Sequence, residues 1–409
     1  MHAPDGPAAS PRQSWIAVLA IFSITSVIET MGVSQISAFL PLYLRTMGLA
    51  PASIPRLVGL LNAVVFIFGL PLVPLWGAFA DKYSRKLVIV RSALVEALVF
   101  GLVALSRRPW ELAGSLLLVG FQLGNTGVML ATIRDVVPRG RLGTAVAVFG
   151  ATAPIGFAAG PAVGGLLLDR LHAPIAAVYG LSSGLSVGSA ILLAVGLEEV
   201  RPSVVPTASV LDLARAAMRG VFTDAVTRRL FALFGCMLFA RMMVSPFLPL
   251  AVERVHAGAA GVASAIALVV GTAALAGGVV SPVAGAVGDR IGFARMLIAA
   301  LVGAGAAFAA LPLAPTVSSL AAANGAASVC ASAVGAMVFA LLATEVPVER
   351  RSATLNLVYL PLYLAGIAGP AAGALVVGAG LGAVFNAAAA VVWAGAFFAW
   401  ASMDRRPRP

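Results

Sequence analysis

The spacing of its apolar runs limits most sharply what this chain can fold into. Stretches of about 20 residues, each long enough to cross roughly 30 Å of hydrocarbon as a helix, recur at 15–44, 57–80, 87–106, 110–133, 142–168, 174–197, 229–252, 261–287, 293–314, 317–343, 353–379 and 382–403. They are continuous rather than alternating and far exceed a tilted membrane strand of about 10 residues, which excludes a transmembrane β-barrel. Composition agrees: 60% of the 409 residues are hydrophobic and only 11% are charged, where a soluble domain carries about a quarter. The expected fold class is an all-α polytopic membrane protein with twelve transmembrane helices in a lipid bilayer. No soluble domain is left to house a cofactor-dependent enzyme.

The net charge of +11 could suggest a nucleic-acid partner, but its distribution argues against one. There is no basic domain and no Lys/Arg run with interleaved aromatics. With the N-terminus inside, the inward segments hold 20 of the 27 Lys+Arg, and the outward ones hold six: Arg45, Arg56, Arg107, Arg108, Arg170 and Arg254. The remaining base, Arg241, lies within a span. This bias places both termini in the cytoplasm of a bacterial-type inner membrane. Cys236 and Cys330 lie inside apolar runs, so no structural disulfide is expected. His2, His172 and His256 are scattered, and no cluster has metal-ligand spacing. The run after the Pro/Ala-rich tail is too long for a cleaved signal peptide.

The chain also repeats itself. Phe39-Leu40-Pro41-Leu42 returns as Phe247-Leu248-Pro249-Leu250, and Gly77, Ala78 and Asp81 return as Gly285, Ala286 and Asp289, both at an offset of 208. Val137-Pro138 and Gly160-Pro161-Ala162 return at an offset of 209. Each copy contains six spans, an even number, so the two halves enter the membrane in the same orientation. They should be related by an axis along the membrane normal, with a substrate path between them near the midplane. The expected organisation is a tail at 1–14, a six-helix bundle at 15–197, a cytoplasmic linker at 198–228, a second six-helix bundle at 229–403 and a tail at 404–409. Within the linker, SVLDLARAAMRGVF has apolar residues at helical spacing, which suits an amphipathic helix on the inner surface; a solvated linker is the alternative.

Between the second and third runs stands GAFADKYSRK, which holds the only two lysines of the chain, Lys82 and Lys86. Together with the twelve spans, the 6+6 duplication and the central loop, this decapeptide resembles the loop signature of the major facilitator superfamily. Gly77, Asp81, Lys82, Arg85 and Lys86 fill that signature, while Ser84 stands where many members have glycine. Gly285, Asp289, Arg290 and Gly292 form the degenerate copy. The resemblance implies a gate latch. On that reading Asp81 caps the start of span 11 (Ser352 to Thr354), and Asp289 the start of span 5 (Gly143, Thr144), when the cytoplasmic side is shut.

Gly156, Gly160, Pro161, Gly164 and Gly165 match the G-x-x-x-G-P-x-x-G-G pattern of drug:proton antiporters within that superfamily. Small residues four apart leave a groove for close packing, and Pro161 removes a backbone hydrogen bond. Gly366, Gly369, Pro370 and Gly373 keep a looser copy. Ordinary small-residue packing would use the same residues. The arginine that the family places in span 4 is missing, with Gly120 in its place.

Three ionisable residues fall well inside spans: Glu29, Glu96 and Arg241. Each costs at least about 2.5 kcal/mol at the bilayer centre unless paired or hydrated, so each is a functional candidate. Glu29 lies 12 residues before Pro41, which places it close to mid-membrane. Under the 208 offset Arg241 falls on Val33, one turn from Glu29. Burial favours a protonated Glu29, and an approaching Arg241 would favour the carboxylate, so Glu29 can exchange a proton for a cationic substrate. A static Glu29–Arg241 clamp is the alternative. Glu96 joins the candidate pathway, although the resemblance makes span 3 peripheral and favours a satisfied structural carboxyl. Among Gln35, Asn62, Gln122, Asn125 and Asn356, interhelical hydrogen bonding is the default role; the resemblance implies that spans 1 and 4 face the pathway, which makes Gln35 and Gln122 the best candidates for lining the cavity. Met31, Met237, Met242 and Met243, with Phe22, Phe39, Phe234 and Phe239, suit either an adaptable apolar pocket or core packing.

The expected function is proton-coupled export of small hydrophobic or cationic compounds by alternating access. No cofactor is expected, the proton gradient supplying the energy, and a monomer should suffice. The chain has no G-x-x-x-x-G-K-[ST] loop for ATP. The rivals are a porter for one metabolite and a non-transporting receptor or assembly factor.

Overall fold

The computed structural model describes residues 13–200, 209–212, 225–256, 258, 260–345 and 360–403. Twelve helices long and apolar enough to cross a membrane carry this part of the chain. In the N-terminal half they are α1 (Trp15–Thr46), α2 (Pro51–Lys82), α3 (Arg85–Leu105), α4 (Pro109–Val136), α5 (Leu142–Arg170) and α6 (Ile175–Gly196). In the C-terminal half they are α7 (Ala225–Val255), α8 (Val262–Ile291), α9 (Phe293–Leu313), α10 (Val317–Glu345), α11 (Leu360–Ala379) and α12 (Leu381–Ser402).

Three of these spans are broken in places that the apolar runs do not announce. In α2 the helix stops after Val64 and resumes at Gly69, where Pro71 has no N–H to offer the preceding turn. In α4 it loosens over Leu118–Phe121, and Gly124, at φ 100°, starts the second piece. In α7 Pro246 sits in a short 3-10 turn, Ser245–Phe247.

The same helix pairings recur in the two halves. In the first, α1 packs on α5 and α6, and α3 on α6; in the second, α7 packs on α11 and α12, and α9 on α12. Two further contacts, α2 with α11 and α5 with α8, join the halves and are again a symmetric pair. A parallel repeat requires that arrangement, because each half must present the same faces to its partner.

Among the described residues, the polar contacts between the halves gather at one end. There the Arg45 guanidinium pairs with the Glu253 carboxylate, and Asp169 Oδ2 accepts from Ser264 N at 2.6 Å, capping the start of α8. A methyl group at Gly59 would lie 2.7 Å from Pro370 O, and one at Gly278 would lie 2.7 Å from Pro154 Cβ. Towards the Asp81 end, a methyl at Gly150, Gly143, Gly77 or Gly285 would meet no described atom within 4 Å. An ion pair and a helix cap join the halves at the Arg45 end, and no ion pair joins them at the Asp81 end among the described residues. Of the linker, Ser209 Oγ accepts from Asp212 N at 3.1 Å at the start of a helical turn; the rest of the expected amphipathic helix lies outside the described residues.

Candidate functional site

The break in α4 builds the centre of the N-terminal half. Past Gly124 the second helical piece opens at Asn125, whose Nδ2 donates to Glu29 Oε2 at 2.7 Å. From the other side of the break Gln122 Nε2 donates to Glu29 Oε1 at 3.3 Å. The positive end of the helix dipole adds to both. Hydrogen bonds to a charged group are each worth about 1.5–3 kcal/mol, comparable with the cost of about 2.5–3.5 kcal/mol for a carboxylate at mid-membrane. The two amides thus offset part of the cost of a carboxylate at that depth. The backbone carbonyl of Gln122 accepts from Ser92 Oγ and, at 3.5 Å, from Arg91 Nη2.

Arg91, counted from the sequence as an inner loop base, in fact lies almost two turns inside α3, with its guanidinium 3.7 Å above the Trp76 ring. Charge counting could not see this, because a loop anchor and a buried cation look alike in a tally. Gly120 explains why no arginine stands in α4 itself: a methyl there would lie 2.6 Å from Phe68 Cβ and 2.7 Å from Gly69 N.

Glu96 differs from the satisfied structural carboxyl expected for a peripheral span. It is 3% exposed, and its Oε1 has no hydrogen-bond partner. It lines a small cavity together with Glu29, Asn125, Thr25 and Ser189. The approach is possible because Gly32, one turn from Glu29, leaves room for the Phe100 ring and for Glu96.

Gln35 was expected to line the substrate cavity, and it does not. It is fully buried, with Nε2 donating to Gly160 O at 3.1 Å and Oε1 accepting from Ser182 Oγ at 2.6 Å, so both ends of its amide are spent tying α1 to α5 and α6. Asn62 Nδ2 donates back to Val58 O of its own helix, and Asn356 lies outside the described residues. Glu29 and Arg241 form no ion pair in this conformation, and Arg241 has no hydrogen bond or ion pair to any described residue. The static clamp is absent here. Met31, Met237, Met243, Phe22 and Phe39 are buried core; of the apolar pocket expected from the sequence, Phe239 lines an opening. That opening is a cavity of about 430 Å³ between α7 and α11, walled by Phe231, Phe239, Pro361 and Leu364 with Arg228 at its edge.

The loop motif is tied to its own half. Arg85, 3% exposed on its side chain, bridges Asp135 at 2.7 Å and Asp81 at 3.3 Å. Glu199 accepts from the Ser84 hydroxyl and, at 2.9 Å, from Arg85 N. Lys86 N lies 3.4 Å from the same carboxylate. The latch partner Ser352 to Thr354 is outside the described residues. Gly143, at the other expected latch, has nothing within 4 Å of a methyl in place of its hydrogen, and Asp289 and Arg290 form no ion pair among the described residues. The motif in α5 is split. Gly156, Gly160 and Gly164 face α1, where a methyl would collide with Thr30, Ser34 and Phe39, while Gly165 meets Ala263 and Ser264 of the other half. In α11 Gly369 and Gly373 face α7 in the matching way, and Pro370 offers its carbonyl to the Gly59 contact.

The family model for the Major Facilitator Superfamily matches residues 22–267 and 230–409. Multidrug resistance protein MdtG of Enterobacter lignolyticus (strain SCF1) is 30% identical over 313 residues, covering 74% of this chain and 70% of its own length. The protein of that name from Serratia proteamaculans (strain 568) is 31% identical over 281 residues, covering 66% of this chain and 65% of its own. Among solved structures, the nucleoside transporter NupG superimposes with a TM-score of 0.79 at 16% identity, covering 94% of this chain and 99% of that one. A bacterial homologue of the human lysosomal transporter Spinster, inward-facing and unoccupied, gives 0.76 at 15% identity, covering 98% of this chain and 100% of that one. At these identities the structures show a shared fold.

Proposed function

The chain belongs to the major facilitator superfamily, and we propose that it exports small hydrophobic or cationic compounds across a bacterial inner membrane in exchange for protons. Both termini face the cytoplasm on this reading, and the Asp81 end is the cytoplasmic mouth of an inward-facing state. The observation that carries it is the Glu29 site: a carboxylate held mid-membrane by the Gln122 and Asn125 amides. Two supports come from elsewhere. The similar proteins named above are multidrug resistance proteins, and the apolar cavity between α7 and α11 suits the lipophilic part of such compounds. A cation drawn to Glu29 displaces its proton, and the loaded transporter closes at the Asp81 end and opens at the Arg45 end. There the proton supply reloads Glu29 and expels the cation.

The test uses purified protein in liposomes under an imposed pH gradient, with ethidium and tetraphenylphosphonium as probes. Wild type is expected to move protons against either probe, and Glu29→Gln to lose the coupled flux while keeping its thermal stability. Coupled flux of wild-type size in Glu29→Gln would overturn the reading, as would wild type that moves neither probe.

A further inference from the structure

Glu29 is not the only carboxyl at its site. The cavity that it lines is about 10 Å³, room for roughly one water molecule, and Glu96 of α3 forms the facing wall. Glu96 Oε1 is buried without a partner, and so is Ser189 Oγ of α6 on the same cavity. An ionised carboxylate in that position would leave a full charge with an unmet acceptor in hydrocarbon, at a cost that a single proton removes. The two carboxyls line the same cavity, and two like charges in one small cavity resist ionising together. Every other charge near the pair can be named. Arg91 of α3 is turned to Trp76 and the Gln122 carbonyl, α4 contributes the neutral Gln122 and Asn125, and α6 contributes Ser186 and Ser189. Arg241 of α7 pairs with neither carboxyl.

We propose that Glu29 and Glu96 form one proton-binding pair that always keeps a proton between them. The proposal rests on the export reading for its place in the cycle. Glu29, which takes both amide donors, is the member that ionises to meet a cationic substrate. Glu96, with its unpartnered Oε1, is the member that keeps the proton while Glu29 is charged. The proton crosses the cavity directly or through the single water that it admits, so no step leaves two carboxylates facing each other. Both amides present N–H groups to Glu29, which suits its carboxylate form; a metal ion would draw oxygen ligands instead.

The pair is tested on purified full-length protein in lipid nanodiscs, without transport. Infrared spectra of wild type at pH 7 should show the carbonyl stretch of a protonated carboxyl, and tetraphenylphosphonium should not remove it. Proton-binding titrations of wild type and Glu96→Gln should then differ. Glu96→Gln lacks the proton that the pair retains, so it should bind about one proton fewer at pH 7 and lose the upper titration step that like-charge repulsion creates in wild type. A wild-type spectrum with no protonated carboxyl at pH 7 would overturn the pair. So would a Glu96→Gln titration that superimposes on wild type, or displacement of the wild-type proton by sodium ions. Because none of these measurements needs export, a pair that titrates as stated in a protein that moves no probe would sink the export reading alone. Coupled export with an unchanged Glu96→Gln titration would sink the pair alone.

Discussion

In the N-terminal half Glu29, Glu96, Gln122 and Asn125 meet at the centre; 208 residues later the same positions carry Met237, Ala304, Cys330 and Ala333. Met237, Ala304 and Ala333 are all buried, and the C-terminal half offers instead an apolar cavity and Arg241, an intramembrane charge with no ion pair among the described residues. The backbone pairings are nearly the same in both halves, so the difference is one of side-chain chemistry on a repeated scaffold. A duplicated frame lets one half specialise in charge and the other in apolar contact, because the frame depends on small residues at helix crossings rather than on the residues at the centre. The crossings are kept in both copies, α5 on α1 through Gly156, Gly160 and Gly164, and α11 on α7 through Gly369 and Gly373.

The comparison can be broken or sharpened by substitutions made in pairs. The largest effect should come from Glu29→Gln against Arg241→Gln in the liposome assay. The first should abolish coupled flux and the second should reduce it by about tenfold or less, since an interaction of about 1.4 kcal/mol is one factor of ten and Arg241 holds no partner here. Equal losses would mean that the two halves share the charge chemistry. Next comes packing. Gly160→Val must push against Ser34 and the Met31 backbone and should cost about 1–3 kcal/mol, read as a lower melting temperature. Gly143→Ala meets nothing within 4 Å in this state and should leave that temperature unchanged. If Gly143→Ala nonetheless slows transport, the latch expected at Gly143 and Asp289 gains support.

A smaller effect separates the two ends of α4 and α10. Asn125→Ala removes one donor to Glu29 and should weaken binding of tetraphenylphosphonium about three- to tenfold. The mirror change, Ala333→Asn, places an amide where no acceptor awaits it, and should lower stability without altering proton coupling. The smallest effect should be at the Arg45 end. Arg45 is 46% exposed on its side chain and Glu253 14%, so a double-mutant cycle of Arg45→Ala and Glu253→Ala should return a coupling of about 0.2–1 kcal/mol, detectable as faster cysteine labelling at the Arg45 end. Coupling well above that range would make this ion pair a principal gate.

Much of the architecture was legible because the bilayer leaves so little choice. Run length and continuity made twelve helices, and the offset of 208–209 matched the pairings later seen in both halves. The same offset joins Arg45 to Glu253, a pair that sequence arithmetic could have found and did not. Glu29, Gln122 and Asn125 all stand out in the sequence, since polar groups in apolar runs are expensive wherever they point.

What the sequence by itself determined is therefore the set of helices, their repeat and the short roll of costly residues, because each follows from the price of polarity in hydrocarbon along a single helix. Which of those residues meet was decided only by tertiary structure. Gln35 and Gln122 are equally polar, yet α5 and α6 consume Gln35 while the break at Gly124 turns Asn125 and Gln122 onto Glu29. Glu96 looked like a structural carboxyl until α1 came close enough at Gly32 to place it across a cavity from Glu29. Helix rotation and crossing set those meetings, and both depend on contacts between residues far apart in the chain.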